Sequence, residues 1–415
     1  MFLEFFFLFS RFVLVLYMFR HYIFSFAAIK HRSGKQRDGQ CAVFHPMVSI
    51  IVPARNEENV IGRLLDRLVE LRCPNGKLEI IVVDDHSTDR TGEIADSYAS
   101  NNPGLLTVVH RKVGGMGKAP VLNEGLKHAV GEVIGFFDAD YVPQNDVLEK
   151  VLPYFSDPTV GAVQARVSVL NERRNLVSRI VSLERLGGYR VSQYARDLLG
   201  LVPQFAGTVG FVRRDLLVSL GGFSTETLAE DTDLTLRVVL AGFQVRYVND
   251  AESGEEAVKG WRCYCRQRKR WAKGHMQCAF RYVLPLLKSR KVPLKQKVDG
   301  LLLLNVYFLP ILVALSWILW LAVLIFRFPT WIPFEIAFVS GVLFFLHGNL
   351  APFFEVIAGA LCDRRPKLLL FVWLLILAYF VNVVVCSIAF LDLLRCRIFR
   401  RNPNHWHKTV HDGEV

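Results

Sequence analysis

The stretch Leu78-Glu-Ile-Ile-Val-Val-Asp-Asp85 decides the fold class of this chain. Residues 78–83 form a short, largely apolar run that is typical of a buried strand, and the run stops where the two aspartates follow. Residues 88–100 then predict a helix, with Ser87 or Thr88 as its N-cap. A buried strand that leads directly into a helix indicates one unit of a parallel sheet.

The neighbouring segments repeat this order of strand and helix. Residues 48–52 form a β-branched run that ends at Pro53, and residues 58–71 carry apolar residues at helical spacing. Residues 105–109 and 133–137 predict two further strands. We therefore expect an α/β domain with a doubly wound sheet that carries helices on both faces.

Three acidic clusters lie in order along the chain: Asp84-Asp85, Asp138-Ala139-Asp140 and Glu230-Asp231. The first two follow predicted strands directly, and ligands of such sheets bind beyond the carboxyl ends of the strands. Carboxylates at that place suit a hard divalent cation that carries a diphosphate. Solvated turn aspartates would explain either cluster alone, but they explain poorly why both follow strands of one sheet.

A glycine-rich segment, Gly114-Gly-Met-Gly-Lys-Ala119, resembles a phosphate-binding loop but fails the test for one. A Walker loop needs Gly six positions before its Lys and Ser or Thr after it, and Lys112 and Ala119 stand at those places. This excludes a P-loop NTPase. Both a plain loop and a glycine loop that brings Lys118 to a diphosphate at a helix start stay open.

The apolar content exceeds what one soluble domain needs, with 52% hydrophobic and 21% charged residues among 415 and a mean hydropathy of +0.29. Residues 2–18, 301–326 and 368–391 are runs long enough, with their flanks, to cross a hydrocarbon layer of about 30 Å. A further run, residues 331–361, is interrupted by polar residues and predicts one span or a re-entrant segment. We expect the first run to be a retained anchor rather than a cleaved signal peptide, because its first charge is acidic, Glu4.

The net charge of +12 comes largely from basic residues beside the apolar runs, at residues 30–37 and 281–297. The positive-inside rule places the central domain in the cytoplasm, with the lipid bilayer as the partner of these residues. No stripe of basic and aromatic residues lies elsewhere, so we expect no nucleic-acid partner. The eight cysteines show neither zinc nor disulfide spacing, and together with the anchor this favours a multi-pass protein of a cell (inner) membrane.

Seven segments in this order resemble the motif series of membrane-embedded family 2 inverting glycosyltransferases of the GT-A (nucleotide-diphospho-sugar transferase) type, in the cellulose, poly-N-acetylglucosamine and mannan synthase-like group. The segments are Val48–Glu57, Val82–Asp89, Gly117–Ala119, Phe137–Asp140, Phe205–Thr208, Ala229–Asp231 and Gln267–Trp271. The resemblance covers residues 47 to about 280 closely and the flanking apolar runs in layout only.

The resemblance implies a role for each matching residue. Asp231 would be the general base, and Asp138 and Asp140 would hold Mg²⁺ or Mn²⁺ on the diphosphate. The residues implied for the nucleotide-sugar are Glu57, Asp84, Asp85, Lys118, Asp138, Gln267 and Arg270. Those implied for the acceptor are Phe205, Gly207, Thr208, Glu230 and Trp271. For the last motif the alternative is a basic interfacial helix that touches lipid headgroups.

The domain organisation implied is an anchor at 1–29, a basic linker at 30–46 and a GT-A catalytic domain at 47–255. Interfacial amphipathic helices at 256–298, membrane helices at 299–393 and a basic tail at 394–415 would follow. Three crossings after the catalytic domain would put the tail outside, whereas its arginines and its resemblance to cytoplasmic tails of related synthases favour the inside.

The reaction expected is transfer of a sugar from a nucleotide-sugar, UDP-hexose before GDP-hexose, to a growing β-linked polysaccharide. The alternative is a glycolipid synthase that adds the sugar to a diacylglycerol, ceramide or polyprenyl acceptor, and accessory subunits are compatible with both. A transporter that senses nucleotide is disfavoured, because the clear spans are largely uncharged apart from Glu335 and Glu355. A nucleophilic pair of His86 and Ser87 is also disfavoured. His275, His405 and His407 have no acidic partner in ligand spacing, which predicts core or interface histidines.

Overall fold

The computed structural model describes residues 2–32, 44–74, 76–115, 117–326, 350–399 and 412–413. Most of the expected linker (30–46), of the interrupted apolar run (331–361) and of the basic tail (394–415) therefore lies outside the described residues. His405 and His407 lie outside them as well.

An eight-stranded sheet forms the centre of the α/β domain. Its strands are β1 (Val48–Ala54), β2 (Leu78–Asp84), β3 (Leu106–His110), β4 (Val133–Phe136), β5 (Val142–Pro143), β6 (Val160–Val169), β7 (Gly210–Arg213) and β8 (Gln244–Glu255). In space they follow the order β3-β2-β1-β4-β7-β6-β8-β5.

The first four strands in that order are parallel, as the sequence predicts. β7 then pairs antiparallel with β4 and with β6, and β8 runs parallel to β6. The sheet is therefore mixed, and the parallel arrangement applies to the strands that alternate with helices along the chain. The two-residue strand β5 closes the far edge, antiparallel to β8.

The helices are α1 (Phe2–Lys30), α2 (Ile61–Val69), α3 (Thr91–Asn101), α4 (Lys118–His128), α5 (Val147–Val151), α6 (Leu176–Arg185), α7 (Tyr194–Leu198), α8 (Arg214–Ser219), α9 (Glu230–Ala241), α10 (Trp261–Lys288), α11 (Leu294–Asn305), α12 (Leu309–Phe326), α13 (Leu350–Cys362) and α14 (Leu374–Ile398). Short 3₁₀ turns lie at Leu152–Ser156, Val306–Phe308 and Pro366–Phe371.

Successive residues of the central strands face opposite layers of helices, as the two-residue period of a strand requires. Ile50 and Val52 belong to the core that contains the apolar face of α2. Ile51, between them, belongs to the core that contains α4 and α9. This arrangement confirms the predicted α/β class with helices on both faces.

The segment between α6 and α7 is a π-helix, Leu186–Gln193, so that residues 176–198 form one continuous helical rod. Its N-terminus is closed by a capping box, in which Asn175 and Ser178 exchange hydrogen bonds. π-Helical turns are rare in proteins, and those that occur often lie at functional sites. Here the π-helix forms one wall of the cavity described below.

Three helices among the described residues are long and apolar enough to span a membrane: Leu3–Lys30, Leu294–Val323 and Leu374–Ile398. They agree with three of the apolar runs in the sequence. The helices also contact the α/β domain, because Arg20 of α1 pairs with Asp299 of α11, and Asp299 faces Arg196 of α7. Each of these three side chains is at most 9% exposed.

Candidate active site

A cavity of about 370 Å³ lies where the carboxyl end of β4, the N-terminus of α9, the π-helix and α10 meet. It brings together most of the residues that the sequence singles out: Lys118, Asp138, Asp140, Thr208, Glu230, Asp231, Gln267, Arg270 and Trp271. The five segments that carry them are far apart in the chain, so their convergence is a property of the fold.

Asp138 and Asp140 stand just beyond the end of β4. The Oδ1 atom of Asp138 lies 2.5 Å from Nζ of Lys118, and that ammonium also donates to the carbonyl of Gly207, at 2.8 Å. The hydroxyl of Thr208 accepts the backbone N–H of Asp138 at 3.1 Å. Lys118 and Thr208 therefore fix the aspartate motif from two sides.

Asp231 lies in the first turn of α9, where the free N–H groups and the helix dipole favour a carboxylate. Its Oδ1 atom accepts the N–H of Thr232 at 2.6 Å. Burial and the adjacent Asp231 raise the pKa of Glu230 to about 7, although Lys118 opposes this. Glu230 therefore takes up its proton near neutrality.

Gln267, Arg270 and Trp271 follow one another at helical spacing, so α10 presents them on one face. The Trp271 ring lies close to two guanidinium groups, with Cζ of Arg268 at 4.3 Å and Cζ of Arg185 at 5.1 Å from its centroid. Such contacts fix the ring at the cavity wall.

The other basic residues of this helix segment bind carboxylates away from the cavity. Asp392 of α14 accepts Lys269 at 2.6 Å and Lys273 at 3.0 Å, and Arg268 pairs with Glu184. These ion pairs hold α10 against α14 and α6. Part of the basic charge of this segment therefore has a structural role, which the motif alone does not reveal.

Several cavity residues carry no signal in the sequence. Arg185 makes a two-pronged ion pair with Glu255, at 2.5 and 3.0 Å, and the Tyr141 hydroxyl donates to the same carboxylate at 2.7 Å. Tyr189 of the π-helix and Tyr307 of the 3₁₀ turn also line the cavity. No periodic pattern of apolar and polar residues singles them out as cavity residues, because they lie on helices with a single apolar face or at the end of a strand.

Asp84 and Asp85 lie at the carboxyl end of β2, as predicted, but do not line the cavity. Asp85 accepts from the Gly115 N–H at 2.8 Å and pairs with Arg55 and Arg111. Asp84 binds Nδ1 of His110 at 3.1 Å, and this bond, with a second one from Asp96, raises the pKa of His110.

Glu57 also lies outside the cavity, within the loop between β1 and α2. Its backbone N–H donates to the hydroxyl of Thr91 at 2.7 Å, which ties this loop to the first turn of α3. The expected contacts of Glu57, Asp84 and Asp85 with a nucleotide stay predictions.

The acceptor segment needs a correction at Phe205, which is fully buried and packs edge-on against Phe136 in the sheet core. Its side chain does not line the cavity, because the apolar ring is sequestered between β4 and α9. Gly207 is also absent from the wall, yet it lies against Asp231, since a Cβ built there would be 3.2 Å from that of Asp231.

The glycine segment forms a loop that leads into α4. Gly115 and Gly117 have φ angles of +87° and +93°, values that side chains rarely adopt. A Cβ at Gly114 would lie 2.2 Å from the backbone oxygen of Asp85, so the loop packs tightly on the end of β2. The loop thereby starts α4 at Lys118, whose ammonium reaches the cavity.

A sheet of this order, with paired aspartates after β4 and an acid at the start of a helix across the cleft, defines the class of GT-A nucleotide-sugar transferase folds. The description "Glycosyl transferase family 2" matches residues 49–220 of the chain. The chain carries a domain of glycosyl transferase family 2, which confirms the predicted family.

Two curated relatives agree with this assignment. The chain is 33% identical over 66% of its length to the "Probable glycosyltransferase YdaM" of Bacillus subtilis (strain 168), and the match spans 64% of that relative. It is 38% identical over 56% of its length to the "Beta-monoglucosyldiacylglycerol synthase" of Synechocystis sp., spanning 48% of that protein. The chain thus matches about half to two-thirds of the length of these relatives.

Among solved structures, the chain is similar to the mannosyltransferase PcManGT from Pyrobaculum calidifontis, which was solved in complex with GDP-Man and Mn²⁺. The TM-score is 0.58 at 26% identity, and the match covers 85% of this chain and 97% of the other. This likeness confirms the predicted GT-A fold.

Proposed function

We propose that the protein is a membrane glycosyltransferase that moves a sugar from a nucleotide-sugar to an acceptor hydroxyl with inversion at the anomeric carbon. The observation that carries the proposal is the convergence of Asp138 and Asp140, Asp231, and Arg270 with Trp271 on one cavity. An acidic metal-type motif, a base and a cation at one cavity are the groups that this reaction needs.

Asp231 would take the proton of the attacking hydroxyl, on the face of the sugar opposite the leaving diphosphate. Two further carboxylates line the cavity, Glu255 and Glu256, but Glu255 is held in an ion pair with Arg185 and Glu256 in one with Lys259, so neither is placed as a free nucleophile. A single displacement follows, which converts an α-linked donor into a β-linked product. Arg270 and Lys118 supply positive charge where the diphosphate gains negative charge.

The aspartate motif fits a divalent cation that binds together with its substrate. The described residues hold no group of three or more His, Cys, Asp or Glu side chains that would make a closed metal site. Asp138 and Asp140 offer carboxylate oxygens, and Mg²⁺ or Mn²⁺ bound by one or two carboxylates takes its other ligands from phosphates and water. A bound cation would neutralise charge on the diphosphate. The Mn²⁺ in the PcManGT complex supports this assignment.

The cavity wall supports a sugar as the acceptor. Trp271 offers an aromatic face, and polar side chains such as Gln193, Gln204 and Arg185 line the rest of that side. A wall of this kind suits a ring with many hydroxyls, as the end of a growing β-linked polysaccharide presents. The second candidate is a glycolipid synthase, which the 38% identity to the Synechocystis diacylglycerol enzyme favours.

The membrane-type helices support a protein with several spans whose α/β domain faces the cytoplasm, where nucleotide-sugars are made. In that arrangement residues 47–255 are the catalytic domain, and residues 256–298 lie at the bilayer surface. An inner-membrane protein of a prokaryote is the setting that we infer from the basic residues beside the spans.

A donor screen tests the proposal. The full chain in lipid nanodiscs is incubated with UDP-glucose, UDP-N-acetylglucosamine or GDP-mannose and Mn²⁺, and the released nucleoside diphosphate is measured. Product size then separates polysaccharide from glycolipid, and the coupling constant of the new anomeric proton gives the configuration. We expect a β-linked product from one UDP-hexose. Release from none of the donors, or an α-linked product, would contradict the proposal.

A further inference from the structure

His275 is a buried residue of the cavity wall that the chemistry above does not use. It follows Trp271 by one helical turn on α10, so the two side chains lie on the same face of the helix. Its exposed fraction is 9%, and it lines the cavity. The structure confirms the expectation of a buried histidine and adds that it lies at the cavity wall.

The imidazole is held through its Nε2 atom. The hydroxyl oxygen of Thr232 lies 3.2 Å from Nε2 of His275 and 3.3 Å from Oδ1 of Asp231. The side-chain nitrogen of Gln204 donates to the same hydroxyl at 2.8 Å and lies 3.5 Å from Nε2 of His275, so its short hydrogen bond is the one to Thr232. Thr232 has one proton to donate, and the carboxylate is the stronger of its two acceptors. From this count of donors we assign the proton of His275 to Nε2, which donates to Thr232.

This assignment leaves Nδ1 as an acceptor. Nδ1 is buried and has no hydrogen-bond partner within the part of the chain that the structure describes. The ring is also fixed in orientation, because it packs on Tyr307 with 4.6 Å between the ring centroids. A buried acceptor without a donor is unfavourable, and a ligand that brings a hydroxyl removes the penalty.

The protonation state agrees with the role of an acceptor. Burial lowers the pKa of His275, and the opposing effect of Asp231 does not reverse the shift. The ring is therefore neutral near pH 7, with a lone pair on Nδ1.

We propose that Nδ1 of His275 accepts a hydrogen bond from a second hydroxyl of the acceptor sugar, beside the hydroxyl that attacks the donor. The inference rests on the proposed function and deepens it, since it requires an acceptor with more than one hydroxyl near the reacting group. Because Thr232 links the same ring to Asp231, the histidine places the acceptor in register with the base. His275 is thus a specificity-determining residue.

Two isosteric variants separate this role from a structural one. His275→Asn places a side-chain oxygen near the position of Nδ1, and it loses the contact with Thr232. His275→Gln places a side-chain nitrogen near the position of Nε2, so it keeps the donor to Thr232 and loses the acceptor. His128→Gln, at an exposed histidine of α4, is the matched control.

The assay uses the full chain in nanodiscs, with the donor selected by the screen above. The acceptors are octyl β-glucoside, which has several hydroxyls, and dioleoylglycerol, which has one. We expect His275→Gln to raise the KM for octyl β-glucoside about five- to tenfold, the usual effect of one lost hydrogen bond. The KM for the donor should move less than about twofold, and His275→Asn should recover most of the lost acceptor affinity.

Thermal unfolding of each variant shows whether it is folded. An unchanged acceptor KM in a folded His275→Gln protein would overturn the inference, and so would an equal rise in both variants. Wild-type transfer to dioleoylglycerol alone would also overturn it, while the proposed function would stand. No transfer by the wild type to either acceptor, together with no release of diphosphate, would refute the proposed function itself.

Discussion

Gly207 determines how closely the backbone approaches Asp231. Its φ of +73° lies in the left-handed region, and its missing side chain lets the backbone pack against Asp231. Its carbonyl also accepts the ammonium of Lys118, which in turn binds Asp138. One glycine therefore links Asp231 to the aspartate motif, and any side chain there would disturb both.

Asp231→Asn should abolish transfer and keep nucleotide binding. The amide cannot take a proton, and general-base catalysis is worth about 10² to 10⁴ in rate. We expect kcat to fall by at least about a hundredfold. Titration with UDP, followed by calorimetry, should give an unchanged dissociation constant. Asp215→Asn, at a fully exposed carboxylate of α8, is the control. Normal turnover by the Asp231 variant would remove this residue from the mechanism.

Glu230 should shape the pH dependence. Burial and the charge of Asp231 hold its pKa at about 7, so Glu230 is neutral below that pH and charged above it. Glu230→Gln removes the group that ionises near neutrality, so an inflection of kcat/KM near pH 7 in the wild type should disappear in the variant. A pH series measured on both proteins checks this. An inflection near pH 7 that persists in Glu230→Gln would show that another group causes it.

Three residues in or next to the predicted motifs have positive φ angles. Asn56 and His86 lie within motifs, with φ angles of 51° and 58°, and Val209, with a φ angle of 49°, directly follows the Phe205–Thr208 motif. For a β-branched valine such a conformation is unusual. Strain of this kind persists where surrounding contacts impose it, often at functional sites.

At the scale of single elements, the π-helix forms a wall of the cavity that the sequence does not predict. The βα units were predictable because each strand is a short apolar run and each acid follows a strand end. Residues 176–198 form a helix whose cavity residues, such as Arg185 and Tyr189, belong to no motif. Phe205 shows the opposite error, because a residue within a binding motif can be buried by its neighbours. The local sequence pattern therefore predicts strand ends well. It predicts poorly which residues of distant segments line the cavity.

Gly188 of the π-helix offers a test of that wall. It lines the cavity, and a Cβ there would meet nothing within 4 Å. Gly188→Leu should therefore fill part of the 370 Å³ cavity and lower kcat/KM at least about tenfold. The melting temperature should not fall, because leucine favours a helix over glycine by about 0.8 kcal/mol.

Gly260→Leu, at another open glycine outside the cavity, is the control for the added side chain. Full activity of the Gly188 variant would show that this wall does not bound the substrates.

At the scale of the whole molecule, α10 connects the chemistry to the membrane-type helices. Gln267, Arg270 and Trp271 face the cavity, whereas Lys269 and Lys273 hold Asp392 of α14. The sequence shows both the motif and the apolar runs, but not that one helix serves both. Such a contact depends on the packing of segments more than a hundred residues apart.

The buried carboxylate of Asp299 joins the two parts at a second place. It lies 3.2 Å from Nε of Arg20 and 3.6 Å from Nε of Arg196, and Arg20 also lies over the Phe24 ring. Taking away the central charge leaves two buried guanidinium groups without a counter-ion. Breaking a buried ion pair from one side commonly costs about 3–5 kcal/mol.

Asp299→Asn should therefore lower the free energy of unfolding by about 3 kcal/mol, visible as an earlier fluorescence transition on heating the protein in detergent micelles. Replacing the whole cluster, as Arg20→Met with Arg196→Met and Asp299→Leu, should recover most of the loss, because apolar residues need no counter-ion. Arg67→Gln, at an exposed ion pair with Glu70, should change stability by less than about 1 kcal/mol. An Asp299→Asn protein that melts like the wild type would mean that α1 and α11 are held to the α/β domain by packing alone.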